Sequence, residues 1–342
     1  MTMKRYPIKL LISLLGVLVI SFILSLMIGR GGTLLPLAEM AANAEVNRVI
    51  LMEIRLPRAL LGIVVGMVLG LCGAALQGLL RNPLAEPGLI GASSGAAFGA
   101  VTVFYFPAFA QMLTGVGGVV GLSDGHAIAL GGLVGAIVAL ALLYLLAGRK
   151  PNIMTLILAG VAINAFAGAM TSFALNMAPS PFAALEIVFW MMGSLENRSM
   201  DHVWFVLPFV LAGGALIFSA GRALDGMTLG QDTARSLGFS PERVTARVIA
   251  GTALAIGAIV SVSGVIGFVG LVVPHLMRPL VGHHPSRLLL PSALAGASLT
   301  LLADVMVRLP VYGPELKLGV FTALIGAPFF LYLILKTRRL SS

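Results

Sequence analysis

The sequence predicts an all-α, polytopic membrane protein with ten transmembrane helices, and three observations carry that expectation. Of its 342 residues 58% are hydrophobic and only 10% charged, and the mean hydropathy is +1.03. Apolar runs of about 20 residues, the length a helix needs to cross a bilayer, recur from end to end. Finally, the few polar breaks between those runs hold most of the charge. A soluble chain carries about 25% charged residues, so a water-facing surface cannot be covered here. The apolar content equally excludes a disordered chain. Cys72, the only cysteine, allows no internal disulfide.

Taken in order, the first expected span covers 7–29 and follows Lys4, Arg5 and Lys9. No small-residue cleavage site follows a short apolar core, so it reads as a retained helix and not a signal peptide. Further spans are expected at 57–80, 88–106, 127–147, 153–176, 203–220, 244–263, 265–280, 288–309 and 318–335. Segments 36–47 and 183–194 are too short or too polar to cross and are expected to lie outside or dip partway. Ten spans place both termini on one side. With that side cytoplasmic, 15 of the 22 basic but only 4 of the 13 acidic residues fall inside, leaving +11 there and −2 outside. The overall +9 is then the positive-inside bias of a bacterial inner-membrane protein, not a nucleic-acid footprint.

Between helices in lipid, close packing relies on small residues. Gly62, Gly66 and Gly70 recur four apart, as do Gly91, Gly95 and Gly99. Polar residues within spans are few: Gln77, Ser93, Ser94, Asn164 and Asp304. They form no run of carboxylates or lysines suited to a proton relay, which disfavours the alternative of an ion-coupled secondary transporter of a small organic solute. Cys72 among Leu71, Gly73 and Ala74 reads as a small buried residue. His275, His283 and His284 lie near one turn, but two are adjacent and no acidic or thiol ligand is near, so no metal site is expected. Nor is there a Ser/His, paired-carboxylate or other catalytic constellation.

The polar stretch between the sixth and seventh spans runs over about 223–242. Gln231 begins a short helix with Asp232 at its positive end and Gly238 suited to its C-terminal cap. Ser240 caps a second short helix, with Pro241 in its first turn. The pair is either a solvated connector or a rigid knob for a partner. No lysine follows a glycine, so the chain lacks the phosphate-cradling Gly-x4-Gly-Lys loop.

Five ordered motifs carry a family resemblance: RLPRALLG at 55–62, NPLAEPGLIGASSGAAFG at 82–99, TLGQDTARSLG at 228–238, GVIGFVGLVVPHLMRPL at 264–280, and LLADVMVRL at 301–309 followed by ELKLGVFTALIGAPFFLYL at 315–333. Together they resemble the FecCD-type permeases of type II ATP-binding cassette importers, which take up iron-siderophore complexes, haem and vitamin B12.

The resemblance implies a single transmembrane permease domain over 1–342 with a vitamin B12 importer permease-like fold, working with a second permease copy as a homodimer, or as a pseudo-dimer of two different permeases. It implies two cytoplasmic ATPase subunits that hold the ATP and Mg, so that this chain binds no cofactor and catalyses nothing. It also implies a periplasmic substrate-binding protein and a metal-chelate cargo moved by alternating access. The ATPase-coupling residues would be Thr228, Leu229, Gly230, Ala234, Arg235, Leu237 and Gly238. Binding-protein docking would fall to Arg55, Arg58 and Arg308, although Asp304 one turn before Arg308 is a rival partner for it. The inner gate would lie at 149–154, including Asn152 and Met154, with Gln77, Ser93, Ser94 and Asn164 as pathway candidates. Iron-siderophore, haem and cobalamin permeases share these motifs, so the cargo stays open.

Overall fold

A computed structural model describes residues 8–32, 44–106, 124–148, 153–178, 180–310, 313 and 315–341, and these are helical almost throughout. Helix α1 is Ile8–Met27 and α2 is Ala44–Val49. A π-helical turn, Ile50–Arg55, runs directly into α3, Leu56–Leu79. Then come α4 (Ala92–Tyr105), α5 (Asp124–Ala147), α6 (Ile153–Asn176), α7 (Pro181–Met191) and α8 (Met200–Thr228). The rest are α9 (Gln231–Ser236), α10 (Pro241–Ser263), α11 (Val269–Met277), α12 (Pro285–Arg308) and α13 (Leu318–Ser341).

Seven helices among the described residues are long and apolar enough to cross a membrane. Two of the other expected spans, 88–106 and 265–280, carry shorter apolar helices, and the third carries the 24-residue α13, so seven crossings are supported and the count of ten is not confirmed. Local backbone explains both short helices. A 3-10 turn at Pro87–Ile90 and the left-handed Gly91 use up the start of 88–106. Residues 264–268 precede α11 in a non-helical path with positive φ at Gly264 and Phe268.

Three boundaries also move. Residues 44–47, expected in a separate segment lying outside or dipping partway, begin a continuous helix that extends to Leu79. Pro57 reads as a helix start because it lacks an N–H and its ring crowds the carbonyl four residues back. The wider π turn just before it relieves that crowding, so the helix runs through. Helix α8 continues two turns past residue 220, and the second helix of the 223–242 stretch is no separate piece but the start of the 23-residue α10.

Helix α3 is the hub. It packs against α12 most extensively, and against α8, α10 and α11. Along the α3–α12 seam, a Cβ on Gly66 would strike the Gly296 carbonyl, one on Gly296 would strike that of Gly66, and one on Gly70 would strike the Ser292 carbonyl. The α4–α5 seam repeats this with Gly95 and Gly99 against Gly131 and Gly135. Gly91, the third member of its expected stripe, serves instead as the left-handed cap that starts α4. By contrast α1 is mostly exposed or half-buried and presents Ile12, Leu15 and Ile20 outward.

Candidate functional site

Chemistry-bearing residues gather at the two ends of the bundle. At one end, where α1 and α12 finish and α3 begins, the RLPR and LLADVMVRL motifs meet in a buried charge cluster. The Arg58 Nε donates to both Asp304 carboxylate oxygens at 3.1 and 3.0 Å, and its Nη2 donates to Asp304 Oδ1 at 2.8 Å and also to Glu315. Asp304, fully buried, also pairs with Arg308 Nη2 at 3.0 Å. Arg308, 3% exposed, donates to the Ser25 carbonyl at 3.0 Å, to the Ile28 carbonyl at 2.8 Å and to Ser25 Oγ at 2.8 Å. Arg55 Nη1 reaches the Leu26 and Met27 carbonyls, each at 2.7 Å. The helix geometry explains the clustering. Asp304 and Arg308 lie one turn apart on one face, and the last carbonyls of α1 have no intrahelical donor and accept from arginine. The three expected docking arginines are thus brought together, with Arg58 and Arg308 turned inward onto the chain's own acceptors.

Two clefts open at this end. One, of about 580 Å³, is lined by Arg30, Glu53, Arg55, Arg58, Arg308 and Glu315 among others. The second, of about 320 Å³, is lined by Phe104, Phe189, Trp190, Glu186, His202 and Lys317 among others. Glu196, Asn197 and Arg198 line both and form the wall between them. Glu196 is paired with Lys317 Nζ at 3.2 Å.

At the opposite end, α9 stands between α8 and α10. Its C-terminus closes as a Schellman turn: Phe239 N–H donates to the Ala234 carbonyl and Gly238 N–H to that of Arg235, with Gly238 at φ 86°. Gly230 at φ 111° makes the entry turn. Ala234 is fully buried and anchors the loop, whereas Leu229 and Leu237 are 66% and 57% exposed. Arg235 bonds Asp232 at 2.9 Å and Glu242 at 2.7 Å, and Thr228 Oγ1 donates to the Asp225 carbonyl. The Glu242 hydrogen bond, chiefly, raises the Arg235 pKa above the ordinary arginine value. The Asp225 carboxylate in turn accepts from Ser286 N–H at 2.8 Å and Ser286 Oγ at 2.5 Å, capping the start of α12.

The pathway candidates are dispersed. Asn164 Nδ2 donates to the Gly88 and Leu89 carbonyls, and its Oδ1 accepts from Ser94 Oγ at 2.5 Å, tying α6 to the 87–90 turn. Gln77, buried, accepts from Arg278 and reaches toward the Leu271 carbonyl at 3.4 Å. Ser93 is half-buried, Met154 is 62% exposed, and Asn152 lies outside the described residues. Among the described residues no group of three His, Cys, Asp or Glu side chains comes together.

Sequence reasoning passed over Glu315, Ser25, Asp225, Arg278 and Arg198. Glu315 heads a recognised motif and Asp225 sits three residues before Thr228, so both were within reach. Ser25 and Arg198 carry no local signal and emerge only when distant segments meet.

The architecture is a polytopic helical bundle with small-residue seams, a charge cluster at one end and a rigid loop at the other. The chain belongs to the FecCD transport family, whose profile it matches over residues 17–336. It is 40% identical over 290 residues to the uncharacterized ABC transporter permease protein YvrB of Bacillus subtilis, covering 85% of this chain and 80% of that protein. It is 35% identical over 339 residues to the vitamin B12 import system permease protein BtuC of Salmonella schwarzengrund, covering 98% of each. A solved structure described as an inward-facing metal-chelate type ABC transporter superposes with a TM-score of 0.82 at 32% identity, covering 96% of this chain and 99% of the other.

Proposed function

We propose that this chain is the permease subunit of an ATP-binding cassette importer that carries a metal chelate, of the iron-siderophore, haem or cobalamin class, from periplasm to cytoplasm by alternating access. The observation that carries the reading is the 228–238 loop. It has a buried anchor at Ala234, a Schellman closure at Gly238, and two exposed leucines for a partner groove. A mere connector would leave the leucines to water without such support.

In this reading the loop faces the cytoplasm and seats in a separate ATPase subunit, which holds ATP and Mg. The charge cluster faces the periplasm and a substrate-binding protein, and a second copy of the chain completes the pathway. Arg55 borders the larger cleft and meets the binding protein directly. Arg58 and Arg308 hold the ends of α1, α3 and α12 in the shape it docks upon. Both termini are cytoplasmic, the membrane is the bacterial inner membrane, and residues 1–342 act as one domain.

The test is reconstitution in proteoliposomes with the cognate ATPase and binding protein. Uptake should require both partners and ATP inside the vesicle-equivalent cytoplasmic side. Uptake by this chain alone under a proton or sodium gradient would favour the secondary-transporter alternative and overturn the proposal.

A further inference from the structure

Arg198 lies in the wall between the two clefts and lines both. Its Nε is buried and makes no hydrogen bond. Its neighbour Glu196, the nearest acid in sequence, is taken by Lys317 at 3.2 Å. Burial alone acts on its pKa, lowering it, and no carboxylate among the described residues opposes that shift. Every other arginine at this end with a described role has found acceptors: Arg58 and Arg308 in Asp304, and Arg55 in the carbonyls of α1. Burying the unpaired Nε is costly, and the two Nη groups are left as donors toward the clefts.

The segment is held firmly. Asn197 adopts a left-handed φ of 57°, and Ser199 and His202 form a capping box that starts α8 immediately afterwards. Arg198 is therefore presented from a fixed turn and not from a loose loop.

We infer that Arg198 is the anion-receiving residue of a small-molecule site at the mouth of the permease, and that the ligand carries a free oxyanion of the carboxylate class. This deepens the proposed function by naming the charge class of the cargo. Of the two hollows, the larger is bordered by Arg55 and belongs to the binding-protein face, whereas the smaller, walled by Trp190, Phe189 and Phe104, suits a small molecule. Arg198 sits between two hollows and shares the lining of the smaller one with Trp190, Phe189 and Phe104. Small-molecule sites combine apolar and aromatic walls with a few placed polar groups in this way. Guanidinium suits a carboxylate through two parallel N–H donors, a geometry lysine cannot copy.

Trp190 supplies the readout, since the chain has two tryptophans and Trp204 can be removed as Trp204→Phe. The purified full-length permease in detergent, without ATPase or binding protein, is titrated with tricarballylate, with inorganic phosphate, and with the neutral tricarballylate trimethyl ester. Tricarballylate should change Trp190 emission saturably and the ester should not. A saturable phosphate response of equal strength would widen the ligand to any oxyanion and overturn the carboxylate assignment. Arg198→Gln should weaken tricarballylate binding about tenfold or more, as loss of one charge-assisted contact does. Arg198→Lys should recover only part of it. Thermal stability of Arg198→Gln without ligand should match or exceed that of the parent, since the residue removed is unpaired, and a fall in stability would mark a structural role. Unchanged binding in Arg198→Gln, or no saturable response up to about 10 mM, would overturn the inference. So would a result in which small anions fail to bind while Arg198→Gln weakens association of the binding protein, since Arg198 would then be a docking contact. Because no ATPase is present, failure here leaves the importer reading itself untouched.

Discussion

Asp304 is shared by two arginines, and that sharing decides what its loss would do. Removing one partner of a buried ion pair typically costs about 3–5 kcal/mol, because the remaining charge is stranded. Asp304→Asn should therefore lower the thermal midpoint of the purified chain sharply. Combining it with Arg58→Met should lower it by less than the sum of the two single changes, since the partners belong to one network. Arg55 calls for a different experiment because its donors cap α1 and its charge faces a cleft. Arg55→Glu should slow uptake while leaving ATPase assembly intact, more so at low salt, as rim charges govern association. Arg55→Gln keeps donors for the Leu26 and Met27 carbonyls without the charge. Uptake slowed by both variants identifies the charge as the cause, and normal uptake by Arg55→Glu at physiological salt would count against docking. The pairing of Asp304 with Arg308 was legible from their spacing alone. The joining of Arg58 to the same carboxylate across 246 positions was not, because no local pattern records which helices become neighbours.

Elements were easier to read than their ends. Most helices lie where hydropathy places them, since the apolar runs are long and broken by polar turns. Errors cluster where backbone chemistry departs from the α-helix: the π turn before Pro57, the left-handed Gly91, and the irregular 264–268 segment. The glycine stripe on α3 was recognised as packing, and the seam makes the cost specific. Gly66→Val should destabilise the chain by roughly 1–3 kcal/mol or more, the range for overpacking, since its Cβ meets backbone that cannot rotate away. The change is read as a lower denaturation midpoint in detergent. In the loop, Leu237→Asp removes an exposed side chain and should leave stability within about 0.5 kcal/mol while abolishing ATPase stimulation by loaded binding protein. Stimulation at the parental level would show that the loop does not couple.

At the scale of the whole molecule, the two ends of the bundle are joined by α12. Its first turn is capped by Asp225, three residues ahead of Thr228, and its last turn carries Asp304 and Arg308. An α-helix of 24 residues is about 36 Å long, close to the thickness a membrane imposes. Pinned at both termini, such a helix has little slack: a tilt forced at one end must appear at the other, or one of the pins must release. Helix α12 thus resembles a tie-rod in a linkage, fastened at both ends of the bundle. Asp225→Ala would unpin one end while leaving the far cluster assembled, and ATP hydrolysis should then continue while uptake per ATP falls.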